Sequence, residues 1–274
     1  MPRNRHNGVW ADEVRLRTWH SQRIIGKQEK SEMGKIKALA LAVAVPLACF
    51  SSAHAAPALK ILVDSSTAMP MALVSDSKVV EGIHRDLGVA IAKELKAEPV
   101  FIVMPRKRIA GALEQGSGHL ACHFLREWLP GKFDWSAPFM PNALLLLSNA
   151  RAARPGNLLA LRGVQIGTVL GFEYPDVSRI LGAGFVRDDA ADATRNLMKL
   201  DAGRSDYALT GELFLRYQQR RGLASGVQDP LVVRRYFASC AVSRAGPFSV
   251  AHVNRAIRSI LERKELEAIY DKYR

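Results

Sequence analysis

His119, Cys122 and His123 stand together in the stretch HLACHFL, and imidazole with thiolate is a donor set suited to zinc. The element that must carry them argues against a metal. HLACHFL reads as a strand, so His119 and His123 share a face but lie about 13 Å apart at roughly 3.3 Å per residue, too far for one ion. Cys122 points to the other face, which leaves structural histidines and a disulfide cysteine as the better reading. Just upstream, Gly116, Gly118 and Ala121 satisfy a G-x-G-x-x-A pattern, yet the motif follows a helix and enters a strand, the reverse of the dinucleotide-binding order. No nucleophile elbow and no phosphate-binding P-loop occurs, so the sequence implies neither a cofactor nor a metal.

Compartment follows from the stretch MGKIKALALAVAVPLACFSSAHAAP beginning at Met33. Lys35 and Lys37 precede an uncharged run from Ala38 to Phe50, and Ala53, His54 and Ala55 end it with small residues at the two positions a signal peptidase reads. The run is too short to cross a hydrocarbon core of about 30 Å as a stable helix. Residues 33–55 are therefore expected to be a signal peptide cleaved after Ala55, with the protein exported to the periplasm. Residues 1–32 are polar and lack helical or strand periodicity; they read as a start assigned too early, with a cytoplasmic arm as the alternative. Arg3 and Arg5 do not form a twin-arginine pair. A lipid anchor at Cys49 is the competing reading of Pro46, Leu47, Ala48 and Cys49, although proline fits the first place poorly.

Removal of residues 1–55 leaves 219 residues, enough for one large domain or for two lobes with their own cores. Of the formal charge of +13, +3 belongs to residues 1–32 and +2 to residues 33–55, which leaves +8 on the exported part. Its arginines are scattered rather than massed, so small anionic ligands or an anionic membrane surface are better partners than nucleic acid. Two cysteines remain, Cys122 and Cys240, and in an oxidising compartment they most simply pair.

Along this part, short apolar runs alternate with helical periods. ALKILV, PVFIV, HLACHFL, LLLLS, GVQIGTV, SDYALT and LVVRRYFASCAVS read as strands. GIHRDLGVAIAKELKA is a helix with Leu87, Ile91 and Leu95 on one face, and RKRIAGALEQGSG is a second with Ile109 and Leu113 inward. GFEYPDVSRIL and the stretch around ATRNLMKLDAG add two more helices, and SVAHVNRAIRSILERKELEAIYDKYR ends the chain as helix. The alternation argues an α/β fold with parallel sheets covered by helices.

The segments WSAPFMPNALLLL, LRGVQIGTVLGFEYPDV, LDAGRSDYALTGE and NRAIRSILERKELEAIYDKY, with GIHRDLGVAIAKEL and IAGALEQGSGHLACHF, resemble bacterial extracellular solute-binding proteins of family 3. The likeness covers residues 57–274. It implies a two-lobed periplasmic-binding-protein fold of type II, each lobe a mostly parallel sheet flanked by helices, the two joined by paired hinge strands. Lobe 1 is then residues 56–142 with 238–274, and lobe 2 residues 143–237. The same fold sets the strands of Cys122 and Cys240 side by side in lobe 1.

Function follows the same resemblance. Ligand is enclosed between lobes, and the turn after GVQIGTV lies at a helix N-terminus suited to a carboxylate, offering Thr168, Gly171, Phe172 and Tyr174. Arg108 opens the second helix on the cleft side and suits an anion, while Glu212 falls near the position that holds a ligand ammonium. One departure stands out: the arginine that α-amino acid binders carry nine residues before the proline of their F-S-x-P-Y motif is here near Leu129. Either Arg126 or Arg108 substitutes, or the ligand is not a standard α-amino acid. The resemblance implies a monomeric, non-enzymatic binder of a small polar or anionic solute, amino acid-like or an organic acid, that delivers it to an ABC permease. Two alternatives share the scaffold, a dehydratase using Glu173 or Glu212 as acid or base, and a sensory ligand-binding protein.

Overall fold

Leu59, Ile61, Leu62 and Val63 bury both faces of one strand, as a central strand of a helix-covered sheet requires. The computed structural model describes residues 56–224 and 226–273; the segments assigned to an early start, a signal peptide, its cleavage site and Cys49 lie outside the described residues. In chain order the elements are β1 (Ala58–Asp64), β2 (Leu73–Ser75), β3 (Lys78–Glu81), α1 (Ile83–Glu94), β4 (Glu98–Met104), α2 (Arg106–Glu114), β5 (Leu120–Phe124), β6 (Asp134–Trp135) and β7 (Met140–Ser148). They continue with β8 (Gln165–Val169), α3 (Pro175–Leu181), β9 (Val186–Ala190), α4 (Ala193–Asp201), β10 (Tyr207–Gly211), α5 (Glu212–Arg220), β11 (Leu231–Val242), α6 (Val250–Glu262) and α7 (Glu265–Tyr273).

The strands run in the order β4-β1-β5-β11-β7-β10-β8-β9, with β6 also on β11. β1 pairs in parallel with β4 and β5, and β8 in parallel with β9 and β10. The remaining ladders are antiparallel, because β7 and β11 run through both lobes in opposite directions. β11 pairs with β7 from Leu231 opposite Leu146 to Ala238 opposite Met140, then with β5 in lobe 1. The expectation of parallel sheets thus holds on either side of the hinge and not at it. Cys240 stands opposite Cys122 in the β5–β11 ladder, and the two form a disulfide.

Helix ends follow local chemistry. Asp192 caps α4 by accepting the amide of Arg195 at 2.8 Å. Ser249 caps α6 in a reciprocal box with His252, each side chain bonding the other residue's amide. Helices α6 and α7 then pack on α1, with Val253, Ile257, Ile260, Leu266 and Tyr273 buried. Tyr273 Oη accepts the Gly82 amide at 3.1 Å and donates to Asp86 at 2.9 Å, which fastens the C-terminal turn to the start of α1. Gly82 has φ 116°, and a Cβ there would stand 2.6 Å from the backbone of Met71 and Ala72, so only glycine fits the entry to α1.

Candidate functional site

Strand ends and helix starts of both lobes converge on one cavity of about 130 Å3. From lobe 1, β1 delivers Asp64, α1 His84, α2 Arg106 and β5 His123. From lobe 2, the turn between β8 and α3 delivers Phe172, Glu173 and Tyr174, and the start of α5 brings Leu213 and Phe214. Asn142 and Tyr236 on the hinge strands form part of the wall.

Asp64 is 5% exposed, and one of its oxygens accepts the amide and the hydroxyl of Ser66 at 3.0 and 2.7 Å. The other lies 3.5 Å from Nη1 of Arg106. The Arg106 side chain is 11% exposed and its guanidinium carbon sits 4.6 Å from the centroid of Phe124 and 4.3 Å from that of Phe172. Burial pulls this guanidinium below the ordinary arginine range, and Asp64 pulls it back. Arg106 Nε is buried with no acceptor among the described residues. Phe124 ends β5 and Phe172 follows β8, on opposite sides of the β7–β11 pair in the strand order, so Arg106 bridges the two halves of the sheet.

His84 and His123 stand 6.2 Å apart, ring edge to face. Burial holds both neutral: it lowers His84 to about 4, against the pull of Asp64, and lowers His123 to about 3, with the charges of His84 and Arg106 acting the same way. His123 Nε2 is 3.0 Å from Asn142 Nδ2, while Asn142 Oδ1 accepts the Leu213 amide at 3.2 Å, so one hinge side chain ties lobe 1 to lobe 2. His123 has φ 68°, which breaks the strand alternation and lets Cys122 and His123 both reach the cavity. His119 instead accepts the Lys60 amide at 3.1 Å. Among the described residues no group of three or more metal-ligating side chains forms.

The sequence candidates fall in several places. Tyr174 lines the cavity; its hydroxyl accepts the Val169 amide at 3.1 Å, and burial raises it to about 12, so the phenol stays neutral. Thr168 is fully buried outside the cavity and donates to Asp189 at 2.6 Å. Gly171, at φ 80°, makes the turn, and a Cβ there would meet Arg106 Cβ at 3.9 Å. Glu212 lines a separate shallow depression beside Arg216 and Arg235, 2.6 and 3.6 Å away.

Arg108 is exposed and away from the cavity, because two residues along a helix turn about 200°; the cavity arginine is Arg106. Arg126 is exposed as well, and Leu129 is 4% exposed in a core cluster with Ile109 and Phe133. Helical spacing held a signal for Arg106, since residues 106, 109 and 113 share a face and Ile109 and Leu113 point inward. His84, His123 and Asp64 carried no comparable signal.

A second contact clasps the lobes. Arg234 Nη1 on β11 lies 2.7 Å from Glu127 of lobe 1 and 2.8 Å from Asp176 at the start of α3 in lobe 2. Arg234→Met is expected to lower stability by about 0.5–1 kcal/mol, as half-exposed ion pairs do, and to enlarge the ligand-free radius of gyration in small-angle scattering. Unchanged scattering and an unchanged denaturation midpoint would remove the clasp.

Among solved structures, an ancestral arginine-binding protein with arginine bound superposes with a TM-score of 0.65 at 20% identity, covering 80% of this chain and 99% of its own. An ancestral amino acid-binding protein described as a precursor of cyclohexadienyl dehydratase gives 0.64 at 17%, with 79% and 94% covered. The periplasmic VFT2 domain of BvgS from Bordetella pertussis gives 0.62 at 18%, with 80% and 94% covered. At these identities the likeness shows the fold, a type II periplasmic-binding-protein architecture. No curated protein sequence matches this one. Residues 59–274 match the family described as bacterial extracellular solute-binding proteins, family 3, and with the two-lobed fold around an interlobe cavity the chain belongs to that family.

Proposed function

We propose that this protein captures a small polar or anionic solute, amino acid-like or an organic acid, between its lobes and hands it to an ABC permease without chemical change. The working compartment is the periplasm, reached by a signal peptide cleaved after Ala55. Residues 56–142 with 238–274 form lobe 1, residues 143–237 form lobe 2, and the protein acts as a monomer.

One observation carries the reading: Arg106 lines the cavity, its guanidinium between the rings of Phe124 and Phe172, and its buried Nε has no acceptor among the described residues. A charge-assisted bond to such a group is worth about 1.5–3 kcal/mol, and contacts on both lobes couple binding to closure. The cavity volume suits a small molecule and leaves no room for a folded partner. The walls mix aromatic rings with Asp64, Asn142 and Thr210, so the ligand combines a polar head with an apolar body. Thr168, Gly171 and Tyr174 shape the lobe 2 turn rather than supply free donors, and Glu212 belongs to the outer rim.

A thermal-shift screen of the purified protein against amino acids, polyamines and organic acids is the test. A ligand at one hundred times its dissociation constant is expected to add about 2.7 kcal/mol of stability. Arg106→Ala is expected to weaken that ligand at least tenfold, and Arg108→Ala to leave it unchanged. Absence of any hit, or equal binding by Arg106→Ala, would overturn the reading. Glu173 also lines the cavity and its charge acts on Arg106, which is the observation that favours an enzyme on this scaffold. Turnover of an organic acid, abolished by Glu173→Gln, would establish that second reading.

A further inference from the structure

Two aromatic faces and a carboxylate shielded from water are the parts with which proteins hold an external organic cation. Phe124, Phe172 and Asp64 supply all three in this cleft, and the cation between them is the chain's own Arg106. Its guanidinium carbon is within 4.6 Å of both ring centroids and its Nη1 is 3.5 Å from Asp64. The arrangement draws on both lobes and three separate elements, since Asp64 ends β1, Phe124 ends β5 and Phe172 lies before α3. A solute bearing an ammonium or guanidinium group meets a filled cage and a like charge. A solute bearing a carboxylate meets instead the positive charge of Arg106, which lines the cavity. The adjacent imidazoles are neutral and can offer a hydrogen bond without adding charge of either sign.

We infer that Arg106 is the specificity-determining residue of the cleft: by filling the cage of Phe124, Phe172 and Asp64 it converts a cation site into one that admits acids and refuses organic cations. The preference for acids rests on the solute-binding reading; the filled cage does not.

Arg106→Ala empties the cage, and methylguanidinium chloride is the probe. The full chain is melted in rising probe concentrations, with sodium chloride of equal ionic strength as the blank. The melting temperature of the variant is expected to rise saturably, with a midpoint at least tenfold below any response of the wild type, and Phe172→Ala in the same background is expected to abolish the rise. No rise in the variant, or the same midpoint in the wild type, would overturn the assignment. Should Arg106→Ala not fold in plain buffer, refolding in the probe replaces melting: recovery of native ellipticity supports the cage, and failure to recover it overturns the cage. A rescued variant of a protein that binds none of the screened solutes keeps the cage and ends the solute-binding reading. An acid-binding protein whose variant is not rescued does the reverse.

Discussion

Replacing Cys122 and Cys240 together by alanine is expected to destabilise the protein by about 4 to 5 kcal/mol, the chain-entropy value for a closed loop of this size. The bond ties residues separated by 118 positions, and the enclosed segment includes every element from β6 to α5 and most of β11. Its ends are already neighbours in a hydrogen-bonded antiparallel ladder, so the native state holds the pair without moving backbone. The gain therefore falls on the unfolded chain, which loses the freedom to spread its two halves. Replacing both residues avoids leaving a reactive thiol beside the cavity that Cys122 lines. Urea denaturation checks it through the midpoint, with the slope compared because the cross-link also compacts the unfolded state. A loss below about 1 kcal/mol on that scale, or two free thiols in denatured, unreduced wild-type protein, would sink the prediction.

Acidification is expected to act through His84 and His123. In the unfolded chain each imidazole takes up a proton near pH 6.5; in the fold burial delays this to about 4 for His84 and about 3 for His123. Between those values the unfolded state binds more protons, so stability rises with pH there. Their contribution is whole above pH 6.5 and drains away as the pH falls toward 4 and then 3. Because both rings also border the cavity, the loss by pH 4 is on the order of 3 kcal/mol rather than the full worth of both depressions. Asp64 opposes the effect at His84, whereas Arg106 reinforces it at both rings. Carboxylates elsewhere titrate in the same range, so the informative quantity is a difference. Urea midpoints measured from pH 7 to 4 for the wild type and a His84→Gln, His123→Gln double variant should diverge, with the variant much flatter. Parallel curves would rule out the pair as the source.

Where burial is strong, the sequence announced the fold. β1, β4, β5, β7, β8, β10 and β11 each overlap a run read as a strand, because strands covered on at least one face carry few charges there, although β1, β4, β7 and β10 extend beyond their runs. The elements that escaped notice have weaker patterns. β9, VRDDA, is an edge strand paired only with β8, and of its residues only Ala190 is buried. The β2–β3 hairpin buries a single side chain of its seven, Val79. Helix α5, ELFLRYQQR, buries Phe214, Leu215 and Gln218, a stripe too short to stand out beside three charged residues. Charge at the site misled more than hydrophobicity did. A basic chain and Arg108 pointed to an anion, but only the face shared with Ile109 and Leu113 shows that Arg106 is the arginine that turns inward. Aspartate and histidine at strand and helix ends have no period to give them away, and His123 reaches the cleft through a left-handed backbone angle that no alternation rule anticipates.

The fastening of α7 to α1 bears on the order in which the polypeptide takes shape as it is synthesised. Lobe 2 draws its helices from one uninterrupted stretch and can organise as soon as β10, α5 and the first half of β11 have emerged. Lobe 1 cannot. Its α1 lacks a wall until α6 and α7 arrive, and the amide of Gly82 waits for the hydroxyl of Tyr273, 191 positions later. The disulfide has the same schedule, since Cys122 emerges long before Cys240. Until both arrive the leading half is thus an unclosed half-shell with a free thiol. Exposed strands in that half-shell give holdase chaperones and thiol oxidants their longest opportunity, and the final turn of the chain ends it.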